Sequence, residues 1–135
     1  MKLYIDENLP PAIVSPLAQL HKRHNFRSWQ QESLSGVEDE ELFQILASMG
    51  YDAIITQDVR QLVNDNERKA LRDNGLHWVG VPQLNEAGAH GTAAVVSMIV
   101  VGLPYVFEHL EDEPHMYRLQ PIAGKHVRAP SIDRI

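Results

Sequence analysis

Asp6, Asp39 and Asp58 are the residues of this chain whose types and placement could do chemistry together. Asp6 ends a short apolar run at residues 2–5, and Asp58 stands two residues past Thr56, at the end of a second run at residues 52–56. Asp39 opens an amphipathic segment within Glu38-Asp39-Glu40-Glu41. If the runs are parallel strands and the segment is a helix running back between them, all three acids reach the carboxyl edge of one sheet, where ligands bind in such folds. Like charges so close repel unless a cation lies between them. Carboxylate oxygens suit Mg2+ or Mn2+, and such an ion can activate water and clamp a phosphate oxygen. No serine or cysteine nucleophile is needed. Each acid alone also has a structural reading, since Asp39 favours a helix N-terminus and Asp58 can close a turn; the joint placement is what points to a site.

The elements that must position these acids follow from apolar spacing. Residues 2–5, 25–29, 52–56 and 76–81 read as strands. Pro10 and Pro11 fit the first turn of a helix that runs to about His21, with Ile13, Leu17 and Leu20 on one face. Residues 38–49 predict a strong helix with a stripe of Leu42, Ile45, Leu46 and Met49, stopped by Gly50. A polar helix covers residues 66–74, and a long apolar helix, or two joined near Gly102-Leu103-Pro104, covers about residues 89–110. Residues 116–128 read as one or two short extended pieces. The expectation is one α/β domain over residues 1–135, in three layers, with a mostly parallel sheet of four or five strands between helices.

A chain of 135 residues with 44% hydrophobic residues can build a real core. With no cysteine it has no disulfide or thiolate metal site, which suits a reducing, cytoplasmic setting. Lys2 and Asp6 flank too short an apolar run for a signal peptide. The most apolar stretch, residues 93–103, falls short of the roughly 20 residues of a membrane span and reads as a buried helix, one that a second copy of the chain could help to cover. The net charge of −6 excludes nucleic-acid binding by bulk charge, so any such role needs a local basic patch or a metal ion.

Arg60, Arg68, Lys69 and Arg72 are candidates for such a patch, to hold an RNA backbone, against the plainer reading of a solvated helix face. Lys125, His126 and Arg128 form a weaker one. His21 and His24 have a spacing that could share zinc, but with Lys22 and Arg23 between them they read as a cationic helix C-terminus. Trp29 and Trp78 fall in strand segments and read as core, and Gly88 and Gly91 make no phosphate loop.

Three segments, Asp6-Glu7-Asn8-Leu9-Pro10, Glu38-Asp39-Glu40-Glu41-Leu42 and Thr56-Gln57-Asp58, resemble the signature segments of PIN-like proteins, short relatives of VapC-type toxins. Residues 66–72, followed by Gly75 and a strand, resemble the VapC-like branch. The resemblance implies a metal-dependent ribonuclease, often the toxin of a toxin–antitoxin pair, with an antitoxin protein as partner. It places Asp6, Asp39 and Asp58 at the acidic ligand positions, Glu40 as an extra or water-mediated ligand, Asn8 beside Asp6 in the first signature, and Thr56 as the residue that orients Asp58 or a water. Two departures stand out: no residue matches the additional helical acid of longer PIN nucleases, and Val59-Arg60-Gln61-Leu62 replaces the Asp-Phe of one branch, leaving Arg60 for substrate. A receiver-like phosphoacceptor and a PIN-like binding module without catalysis remain the alternatives.

Overall fold

A computed structural model describes residues 1–122 and 130–134. Five parallel strands form one sheet in the order β2-β1-β3-β4-β5, with β1 at Lys2–Ile5, β2 at Asn25–Ser28, β3 at Ala53–Thr56, β4 at His77–Gly80 and β5 at Met116–Arg118. The helices are α1 (Val14–Leu20, entered through a 3-10 turn at Pro11–Ile13), α2 (Trp29–Glu32), α3 (Asp39–Ser48), α4 (Arg60–Val63), α5 (Asp65–Asp73) and α6 (Gly88–Glu108). The three-layer α/β architecture expected from the sequence is the one observed.

Alternation along the strands splits the core in two. Leu3, Ile5, Ala53, Ile55 and Val79 pack with Leu17 of α1 and Met98, Ile99, Leu103 and Val106 of α6. Tyr4, Ile54 and Trp78 pack on the other face with Leu42, Phe43 and Leu46 of α3, Leu62 of α4 and Leu71 of α5. Every residue of β3 and β4 is buried, as strands covered on both faces require.

Several sequence boundaries shift for local reasons. Trp29 begins α2 instead of ending a strand, because Ser28 caps that helix: its hydroxyl accepts from the Gln31 N–H and the Gln31 side chain accepts from the Ser28 N–H. Phe43, not Met49, completes the buried stripe of α3, because the helix ends at Ser48 and Met49 lies beyond it at the cap. Gly50 and Gly75 follow α3 and α5 with φ of 77° and 70°, the left-handed geometry that lets a chain turn back into a strand. Pro104 does not divide α6, which runs unbroken for 21 residues. That helix is long and apolar enough to cross a membrane by length and composition, yet one side packs on the sheet. It is not buried all round: Val101 is 54% and Tyr105 64% exposed. The tail patch of Lys125, His126 and Arg128 lies outside the described residues.

The strand order sets the site. From β1 the chain steps outward to β2 on one side and then crosses to β3 on the other. The crevice beyond the carboxyl ends of β1 and β3 is therefore a topological switch point, where open α/β sheets bind ligands.

Candidate functional site

Asp6 is the first residue past β1 and is 6% exposed. Its Oδ1 accepts from the Glu7 N–H at 2.8 Å, and its Oδ2 from the Thr56 hydroxyl at 2.6 Å and the Asn8 Nδ2 at 3.3 Å. Thr56 ends β3 with no exposed surface, and its hydroxyl oxygen also accepts from the Asp58 N–H at 3.0 Å and from Asn8 Nδ2 at 3.1 Å. The Asn8 Oδ1 in turn accepts from the Gln57 N–H at 3.0 Å. Asn8 and Thr56 thus tie the ends of two neighbouring strands together and hold Asp6 between them.

Asp39 is the first residue of α3, and the loop that delivers it is pinned to the same edge. Glu7 Oε2 accepts from the Ser35 hydroxyl at 3.2 Å and the Gly36 N–H at 3.0 Å. Glu40 is exposed on the same first turn. Asp58 lies in the turn between β3 and α4, where Arg60 takes both its oxygens: Nε donates to Oδ1 at 2.9 Å and Nη2 to Oδ2 at 2.7 Å, with the Arg60 N–H adding a third bond to Oδ1.

The acids sense one another. Burial raises the Asp6 carboxyl above its ordinary value against the hydrogen bonds from Thr56 and Glu7, and the Asp39 charge raises it further. Burial also raises Asp39, with the Asp58 charge adding and a hydrogen bond from Gln61 opposing. Asp58 goes the other way, chiefly because of its hydrogen bonds from Arg60.

Two residues here escaped the sequence reading. Glu67 of α5 is raised by burial and by the charges of Asp39, Asp58 and Glu40, and its Oε2 is buried with no hydrogen-bond partner among the described residues. Its sequence signals were its acidity within a polar helix and its place in the segment 66–72, neither of which gave it a role. Gln61 of α4 has no exposed surface and donates from Nε2 to Asp39 Oδ1 at 3.0 Å. A four-residue helix gives no periodic pattern that would mark it. Of the basic candidates, Arg60 stands at the rim, whereas Arg68 and Arg72 line a hollow of about 260 Å3 with Trp78, His115 and Met116.

In kind, these donors fit a hard divalent ion: carboxylates that raise one another, and an orphaned buried oxygen on Glu67. In arrangement they are not yet a cage. Among the described residues, no three Asp, Glu or His side chains are gathered closely enough to hold one ion, and the guanidinium of Arg60 covers Asp58.

The sequence model of the family described as PIN like domain matches residues 1–83. The match spans β1 through β4 and stops short of α6 and β5. No curated protein and no solved structure matches the chain. The matched span covers more than half of the chain and contains every acid at the rim, from Asp6 to Glu67, together with the two strands whose ends carry the site; this chain belongs to the PIN-like domain family.

Proposed function

We propose that this protein is a metal-dependent endoribonuclease of the VapC-like branch, working as the toxin of a toxin–antitoxin pair in the cytoplasm. The observation that carries the reading is that Asp6 just past β1, Asp58 just past β3 and Asp39 at the start of α3 all lie at the switch point between β1 and β3, with the loop before Asp39 bonded to Glu7. Asp39 and Asp58 would hold Mg2+ or Mn2+, with Asp6, Glu40 and Glu67 completing the acidic surround. The ion would supply an activated water and a clamp on a phosphate oxygen. Asn8 and Thr56 keep the strand ends and Asp6 in register. Arg60, already at the rim, would contact the RNA backbone, with Arg68 and Arg72 farther along the surface. A polar hollow of about 360 Å3 opens beside Asn8 and Gln57 toward Gly88 and Gly91 at the start of α6.

The test is cleavage of single-stranded RNA by the purified protein. Cleavage with Mg2+ or Mn2+ that is lost in EDTA and in Asp39→Asn supports the proposal; metal-independent cleavage, or cleavage by Asp39→Asn, overturns it. A second reading is a binding module without catalysis, favoured by the Arg60 fork over Asp58 and by the hydrogen bonds that tie up Asp6. It predicts RNA retention with no cleavage in the same assay. A receiver-like phosphoacceptor finds no support, since neither β4 nor β5 carries the lysine that would grip a phosphoryl group.

The antitoxin partner rests on the toxin reading. A homodimer is proposed from the exposed apolar side of α6, where Val101 and Tyr105 border a groove of about 500 Å3 with Met116 and Leu119. Light scattering at micromolar concentration decides it, and a monomer there ends the dimer proposal.

A further inference from the structure

Gln61 is a wholly buried amide whose two ends are both engaged. Its Oε1 accepts from the indole Nε1 of Trp78 at 3.1 Å, and its Nε2 donates to Asp39 Oδ1 at 3.0 Å. The orientation is forced. An indole N–H can only donate, so the amide oxygen must face Trp78, and a carboxylate can only accept, so the NH2 must face Asp39. Trp78 is itself 2% exposed and lies directly over Gly80, where an added Cβ would meet the ring at 2.0 Å. The indole therefore has little freedom, and neither has the amide it holds. Asp39 Oδ2 makes no hydrogen bond among the described residues, so one oxygen of the carboxylate is fixed and the other is left for a cation or its water.

We infer that Gln61 is a positioning residue of this site: anchored by Trp78 in the core of the sheet, it sets the orientation of the Asp39 carboxylate toward a divalent cation. The inference rests on the metal reading above. Partners that orient a metal ligand from behind are worth about ten- to a hundredfold in affinity where they have been removed. Gln61 has that relation to Asp39, with the unusual feature that its own anchor is a tryptophan two positions before the end of a central strand.

The experiment is Mg2+ binding to the full chain by titration calorimetry, with thermal melting in EDTA alongside. Gln61→Met keeps the length of the side chain but removes both amide groups, leaving the Trp78 N–H buried without a partner. Gln61→Met combined with Trp78→Phe removes that orphan too. Mg2+ affinity should fall about tenfold in both variants, while Gln61→Met should cost less melting temperature in the Trp78→Phe background than in the wild type, because no indole N–H is then left without a partner. A role in stability alone would shrink the Mg2+ loss in that background as it shrinks the melting loss. Trp78→Phe by itself, which leaves the amide free to turn, should also weaken Mg2+ binding, and it carries the test if the other variants do not fold. Wild-type affinity in these variants overturns the inference while leaving the metal site standing. A wild-type protein that binds no Mg2+ overturns the metal reading, and the inference with it.

Discussion

Arg60 grips Asp58 as a fork, Nε to one carboxylate oxygen at 2.9 Å and Nη2 to the other at 2.7 Å, from two residues away in the same turn. The charges of Asp39 and Glu67 also act on this guanidinium. A cation is thus already built into the acidic rim, and it is a covalent part of the chain. Any divalent ion that uses Asp58 competes with it, and any phosphate that Arg60 contacts draws it away.

Arg60→Gln should therefore have opposite effects on two ligands. Mg2+ affinity should rise about two- to fivefold, the range open to an exposed ion pair. Affinity for a non-cleavable RNA should fall, by a similar factor for every sequence, and the dependence of RNA binding on salt should flatten by about one charge. Calorimetry for the metal and filter binding across a salt series check both; a variant that weakens both ligands alike contradicts the competition.

The carboxyl directions fix a pH dependence. Asp39 is raised in the folded protein, so the stability it allows is fully present below its unfolded value near 3.8 and declines as pH rises through the raised value. Asp58 is lowered, so its contribution is present above that value and is lost as pH falls through the depressed one. Asp39→Asn removes the first effect, together with the share of the Asp6 and Glu67 shifts that comes from the Asp39 charge, and leaves the second. Melted in EDTA, the variant should gain on the wild type as pH rises from 4 to 7, by about 2–4 °C. A constant difference across that range would mean that Asp39 is not held above its ordinary value.

Thr56→Val keeps the shape of a fully buried side chain and removes one hydroxyl. That hydroxyl donates to Asp6 and accepts from the Asp58 N–H and Asn8. The valine should cost about 1–3 kcal/mol in urea denaturation, the range for buried groups left without partners. It should also push the Asp6 carboxyl higher still, since the Thr56 hydrogen bond is the largest influence holding it down. A carbon-detected NMR titration of Asp6 follows that shift directly.

Gly80→Ala tests the anchor of Gln61 from behind. A methyl group there would stand 2.0 Å from the Trp78 ring, so the ring must move. The expected cost is about 1–3 kcal/mol from overpacking, together with weaker Mg2+ binding transmitted through the Trp78–Gln61 hydrogen bond. Unchanged thermal stability would mean that the sheet yields easily at this point.

The layered fold and the positions of Asp6 and Asp58 were legible in apolar spacing, because residues 2–5 and 52–56 are runs too apolar for an exposed strand and an acid stands beyond each; Asp39 was legible as the start of an amphipathic helix. Gln61 and Glu67 were not legible, since their roles come from tertiary neighbours. Gln61 matters through Trp78, 17 residues away, and a turn of helix as short as α4 has no period to read. The exposed side of α6 was hidden for the opposite reason. Its composition is apolar on every side, and composition alone does not tell which side the sheet covers.

The staple made by Asn8 and Thr56 has a kinetic consequence. Its hydrogen bonds, and the one from Thr56 to Asp6, join residues 48 and 50 positions apart in the chain. Closing so long a loop comes late relative to forming α1 or α3, because local contacts form before distant ones. The rim therefore exists only once β1 and β3 are paired and α3 has been laid across them. A nascent chain that has not yet delivered Thr56, or a fragment cut anywhere between Asn8 and Thr56 that lets the halves part, has the acids but not their arrangement. Competence at this site is thus a report on the folding of the chain through Trp78 as one unit, since Trp78 holds Gln61, and amide exchange should find the N–H groups of Asp58 and Gln57 opening together with the β1–β3 pairing rather than with the surrounding turns.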